Sequence, residues 1–93
     1  MLVKMMYYSK RGILMKSVPI LLPDVAAIKH FVAIVETFDF DVDLIAGRYR
    51  INAKSLMGIF SLGAGIPMTM EIHCDDDAAI KRLMDRIAPY LAD

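Results

Sequence analysis

Apolar positions fall on every second residue from Ser17 to Leu22, with Val18, Ile20 and Leu22 on one side, so this stretch is predicted to be a strand. Pro19 has no amide proton to give to a ladder, which places that strand at a sheet edge. Pro23-Asp24 ends it, and Asp24 is a good N-cap for a helix beginning at Val25. From Val25 to Thr37 the period changes. Ile28, Phe31, Val32 and Val35 recur at i, i+3, i+4 and i+7, the apolar stripe of a helix. His30 lies beside that stripe and reads as a partly exposed surface residue with no catalytic role. Alternation returns over Phe38–Ile45, with Phe38, Phe40, Val42 and Leu44 inward and Asp39, Asp41 and Asp43 outward.

Ala46-Gly47 fits a two-residue hairpin turn. Centred there, Ile45 opposes Arg48, Leu44 opposes Tyr49, Asp43 opposes Arg50 and Val42 opposes Ile51, which puts Tyr49 and Ile51 on the core face. The Asp43–Arg50 pair then lies across strands on the wet face, a favourable arrangement. The next element is a short helix. Ser55 is its N-cap, Leu56, Ile59 and Phe60 follow at helical spacing, and Gly63 stands where a left-handed C-terminal residue is wanted. Ile66 to His73 alternates once more, with Ile66, Met68, Met70 and Ile72 inward. Asp75-Asp76-Asp77 offers a cap and an acidic first turn to a last helix, whose stripe is Ile80, Leu83, Met84, Ile87 and Leu91. Pro89 is expected to kink or fray its end.

The order is therefore strand, helix, strand, strand, short helix, strand, helix. Strands with one apolar face need a cover, and helices with one stripe need a floor. The simplest solution is an α+β fold with a four-stranded antiparallel sheet and helices on one side. Met1 to Leu14, with Lys4, Lys10 and Arg11 among Met and Tyr, has no such pattern. It is expected to be an extension, partly disordered or derived from an upstream start codon with Met15 as a second start, so that the domain runs from 15 to 93.

Composition narrows the function classes. The 93 residues allow one domain, and 57% hydrophobic content demands a packed core. Eleven basic and eleven acidic residues cancel, with no clustered basic face, which excludes a nucleic-acid footprint. No apolar run approaches the ~20 residues of a membrane span. The single cysteine, Cys74, precludes an internal disulfide, and the acidic run after it disfavours a thiolate. A cytoplasmic protein without cofactor is expected. Asp39, Asp41 and Asp43 invite the thought of a metal, but same-face neighbours on one strand stand about 6–7 Å apart, too wide to clasp one ion unaided. They read as a solvated face, and no metal site is expected.

Candidate chemistry sits at Ser55. Helix-start amides favour negative charge, by roughly 0.3–1 kcal/mol at an exposed site, so a serine there is a good place for a phosphate. The run Lys54-Ser55-Leu56-Met57, continued by Ile59, Leu62 and Gly63, resembles the regulatory-serine motif of HPr, the small phosphocarrier of the bacterial sugar phosphotransferase system. The element order is also that family's order. The resemblance implies an open-faced sandwich with strands in spatial order first, fourth, second, third and three helices on one face. It covers about Met15 to Asp93, with Phe31 and Val32 as the core pair of the first helix and a loop after Leu62 about two residues short.

The resemblance fails before the first helix. Phosphocarriers read Gly-Leu-His-x-Arg-Pro-Ala there, and the histidine takes phosphate from enzyme I. This chain reads Leu22-Pro23-Asp24-Val25-Ala26-Ala27-Ile28, so Asp24 takes the histidine place, Ala26 the arginine place and Ala27 the proline place. Phosphoryl carriage needs a nitrogen nucleophile that is neutral near pH 7, and a carboxylate accepts a phosphoryl group only with a metal or cationic partner. No such partner is visible beside Asp24, and His30 lies too far along the helix to substitute. No histidine phosphocarriage and no enzymatic activity is expected.

Catabolite-repression HPr of Gram-positive bacteria, which keeps the serine and lacks the histidine, resembles this case. By that resemblance Ser55 would be modified by an ATP-dependent HPr kinase/phosphorylase, and the product would bind a transcriptional regulator or other phosphotransferase-system proteins. Asp24, Lys54, Leu56, Met57 and Phe60 would form the partner-binding face, with Met57 its most exposed member. A second reading is an unphosphorylated binding module or decoy, with Asp24 imitating a phosphohistidine's charge and Met57 beside it. A working phosphocarrier is the third. The bland readings of Ser55 and Asp24 are helix caps.

Overall fold

A computed structural model describes residues 17–92; the extension expected over 1–14 lies outside them. The chain runs β1 (Ser17–Leu21), α1 (Val25–Val35), β2 (Asp41–Ala46), β3 (Tyr49–Asn52), α2 (Leu56–Leu62), β4 (Pro67–His73) and α3 (Asp77–Arg86), then a 3-10 turn over Ala88–Tyr90. All pairs are antiparallel, in the order β1-β4-β2-β3. This is the open-faced sandwich expected from the sequence.

Alternation in each strand sends one set of side chains under the helices. Val18 and Ile20, Val42 and Leu44, and Met68, Met70 and Ile72 meet Ile28, Phe31 and Val35 of α1, Ile59 of α2, and Ile80, Leu83 and Met84 of α3. Each of these is essentially excluded from solvent, and among the described residues no polar side chain is buried with them. Pro19 is on the edge strand as its missing amide requires. Its carbonyl accepts a hydrogen bond from the Ala92 amide at 3.0 Å, and Leu91 bridges to Ile20, so the C-terminal residues cover part of that edge.

The hairpin register differs from the expected one. Ala46 pairs with Tyr49, Ile45 with Arg50, Leu44 with Ile51 and Asp43 with Asn52. The central turn residues are Gly47 and Arg48. Gly47 has φ +60° and no other residue type has positive φ among the described residues, the requirement of a turn with glycine at its first central position. Ala46 could not take that conformation without strain. The register shift is two residues, so faces are preserved while partners change. Tyr49 nonetheless leaves the core: at the sheet edge it is 61% exposed, and Ile51 is only half-buried.

Other boundaries move for identifiable reasons. β2 begins at Asp41, because residues 38–40 form a bend whose apolar members still pack, with Phe38 and Phe40 ring centroids 5.4 Å apart. The alternation there reflects side-chain burial without strand pairing. α1 stops at Val35, and the Thr37 hydroxyl donates to the Ile34 carbonyl at 2.7 Å, closing its end. β1 ends one residue before Leu22, and β4 begins at Pro67, one residue after Ile66. Pro89 ends the regular helix, so Ile87 and Leu91 belong to the cap and tail instead of a continuous stripe. Gly63 has positive φ (99°) but extended ψ (157°), so it is not the left-handed cap expected.

Candidate functional site at the starts of the first two helices

Asp24 adopts extended backbone after Pro23, and its Oδ1 accepts the Ala27 amide proton at 2.8 Å. That satisfies one of the orphan donors at the start of α1. The carboxylate is exposed, as is Val25, at 52%. The loop after α2 is tied to this corner, because the Gly65 amide donates to the Leu22 carbonyl at 2.7 Å. The end of α2 and the start of α1 are thereby held as neighbours.

Ser55 caps α2 in the same manner, its Oγ accepting the Gly58 amide proton at 3.1 Å. The fit is close. A Cβ added at Gly58 would lie 2.9 Å from Ser55 Oγ and 3.4 Å from Ser55 Cβ, so glycine here leaves room for the cap. Upstream, the Asn52 side chain accepts the Lys54 amide proton at 2.8 Å, and the Ala53 amide donates to the Val42 carbonyl at 2.7 Å. These bonds turn the chain from β3 into α2.

The five residues expected at a partner face do not all share one. Ile59 is the fully buried member of α2; Leu56 and Phe60 flank it, half-buried against the core, while Met57 points outward and is 73% exposed. Lys54 is directed elsewhere. Its Nζ donates to the Phe38 carbonyl at 2.8 Å, at the far end of α1 from Asp24. His30 is exposed, as read from the sequence, and its Nδ1 is hydrogen-bonded to the Tyr90 hydroxyl at 2.6 Å, with the rings edge-on. That bond links α1 to the C-terminal turn.

The family described as the PTS HPr component phosphorylation site matches residues 25–93. The chain belongs to the HPr family. Two solved HPr structures are similar to it. HPr-C-His from Thermoanaerobacter tengcongensis is 30% identical with a TM-score of 0.63, covering 80% of this chain and 92% of that one. A phosphocarrier protein HPr from Bacillus anthracis str. Ames is 26% identical with a TM-score of 0.54, covering 75% of this chain and 93% of that one. Among curated proteins none matches. The family match begins at Val25, one residue after Asp24. Among the described residues no helix is long and apolar enough to cross a membrane.

Two features escaped the sequence. An apolar hollow of about 650 Å³ lies between the β2–β3 turn and α2, walled by Tyr49, Ile51, Gly58, Leu62 and Ile66. On the open face of the sheet, Arg50 Nη1 bridges Asp43 Oδ2 at 3.0 Å and Glu71 Oε1 at 2.6 Å. The Asp43–Arg50 pair expected from the sequence does form, on a diagonal, since Arg50 directly opposes Ile45. The bond to Arg50 holds the Glu71 carboxyl below its ordinary range, and the same bond, with Asp43, raises Arg50. Glu71 is 21 positions from Arg50, so only the pairing of β4 beside β2 brings them together.

Proposed function

We propose that this HPr-family protein of the phosphotransferase system does not carry phosphate on histidine and acts as a regulatory protein through phosphorylation of Ser55. The observation that carries the reading is the pairing of Ser55, set in the Lys54-Ser55-Leu56-Met57 run at the start of α2, with Asp24 where the family's acceptor histidine is expected. Asp24 is engaged as a cap, and among the described residues no cation bonded to it supports acyl-phosphate chemistry. A phosphate on Ser55 would keep acceptors directed at the Gly58 amide, so α2 need not lose its cap. Met57, exposed two residues along, with the borders of Leu56 and Phe60, supplies apolar surface for a partner to read. Lys54 serves this site through the backbone turn more than through its charge. The partners by this reading are an HPr kinase/phosphorylase and a phosphoserine-reading protein of the same system, and the protein is not an enzyme.

Intact-mass analysis after incubation with HPr kinase and ATP tests it, with Ser55→Ala as control. A single phosphate that disappears in the control is expected. An unmodified, folded chain overturns the reading and favours the second one, a binding module using the Asp24/Met57 face, which is exposed without modification. Phosphoenolpyruvate-dependent labelling by enzyme I that is lost in His30→Ala would instead establish a phosphocarrier.

A further inference from the structure

The open face of the sheet holds a cluster of side chains that the proposed function does not use. Asp43 on β2 pairs directly with Glu71 on β4, and His73 follows two residues later on the same face. One carboxylate oxygen from each acid and one His73 nitrogen lie within 4.8 Å of one another. His73 Nε2 is 3.1 Å from Asp43 Oδ2 and 3.3 Å from Glu71 Oε1. Tetrahedral coordination with metal–ligand bonds of about 2.0–2.1 Å puts neighbouring ligand atoms about 3.3–3.4 Å apart. The imidazole therefore stands close to coordination spacing from both oxygens before any ion arrives.

The donor set selects the class of ion. Two carboxylates and one imidazole suit a borderline cation such as zinc, whereas calcium and magnesium prefer oxygen alone. With His73 neutral, two carboxylates face one guanidinium, leaving a net negative cluster. Asp41, directly opposite His73 in the register, adds a further acid to its rim. Arg50 is the occupant to be displaced, since its Nη1 sits on the same two oxygens that an ion would use. It comes from the edge strand β3 and its side chain is half-exposed, so it can swing away. Aspartates spaced along one strand could not form this site; neighbouring strands supply the short distances.

We propose that Asp43, Glu71 and His73 form a site for one divalent transition-metal ion of the zinc class, joining the two central strands across the open face. The site is independent of Ser55. Calorimetric titration of the metal-free full chain with Zn2+ near neutral pH tests it. One ion per chain is expected, with binding weakened at least about tenfold in His73→Ala and in Glu71→Gln, since even outer partners of a metal ligand are worth that much. Arg50→Gln should tighten binding by removing the competing cation, and Cys74→Ser and His30→Ala should leave it unchanged. In the unsubstituted chain, the His73 imidazole resonances should move with Zn2+ while those of His30 stay, which tests the site without any substitution. Absence of binding, binding that survives His73→Ala, or binding lost in Cys74→Ser overturns the proposal.

Discussion

The two faces of the sheet are made from alternate residues of the same strands, yet they do different work. On the covered face Val42, Leu44, Met68, Met70 and Ile72 are sealed beneath the helices. On the open face Asp43, Glu71 and His73 alternate with them and meet solvent. Full burial of one such apolar side chain contributes roughly 1.5–3 kcal/mol. Ion pairs as exposed as Arg50–Asp43 gain little, because solvent screens them and long side chains must be ordered. Stability is thus concentrated on the covered face, while the charges of the open face are paired with one another at the surface. The helix starts at Asp24 and Ser55 lie between these extremes: their hydrogen bonds matter locally, and their side chains remain reachable.

Substitutions should rank accordingly. Phe31→Ala, which empties a ring wholly enclosed between α1 and the sheet, is expected to cost about 3–5 kcal/mol in urea unfolding. A loss no greater than that of an open-face variant would erase the contrast between the faces. Next come the caps. Asp24→Ala and Ser55→Ala should each cost about 0.5–2 kcal/mol by the same measurement, as N-cap losses do. Gly58→Ala sharpens the point: alanine favours a helix over glycine by about 1 kcal/mol, but here its Cβ crowds the Ser55 hydroxyl. It should therefore be more favourable in a Ser55→Ala background than in the original chain, a coupling that a double-mutant cycle reads directly.

The smallest effect is expected from Arg50→Ala, seen as a change in the acid limb of a pH–stability curve. Arg50 lowers the folded Glu71 pKa below its ordinary value of 4.5. The stabilisation is then fully present above that value and is lost as pH falls through the lowered folded pKa. Removing Arg50 should flatten that segment of the curve, with a neutral-pH loss no larger than its small height and none below the lowered pKa. A large neutral-pH loss would mean that the open face carries more of the fold than its exposure indicates.

Much of the fold was legible because local periodicity follows from backbone geometry. Period-two stretches marked the strands, helical spacing marked the helices, and Asp24, Ser55 and Asp76 each cap as short polar side chains before apolar runs do. Legibility stopped where one pattern serves two structures. Phe38 and Phe40 alternate like strand residues but lie in a bend, since burial alone sufficed to select them. The hairpin centre turned on whether Gly47 came first or second in the turn, a choice that strand alternation does not make. Around the candidate site, the caps at Asp24 and Ser55 and the exposure of Met57 could be read in advance. The direction of Lys54, toward the Phe38 carbonyl, could not, because its partner lies 16 positions away.

The amino-acid sequence by itself determined the order of strands and helices, where the helices start and most of which faces are apolar. These depend on near neighbours, whose spacing the backbone sets. Tertiary structure alone decided that Glu71 and His73 stand beside Asp43, 30 positions from His73, and that Arg50 reaches both acids. Strand pairing is a long-range choice, made when the helices cover one face of the whole sheet, and charges on the opposite face take whatever neighbours that choice brings them.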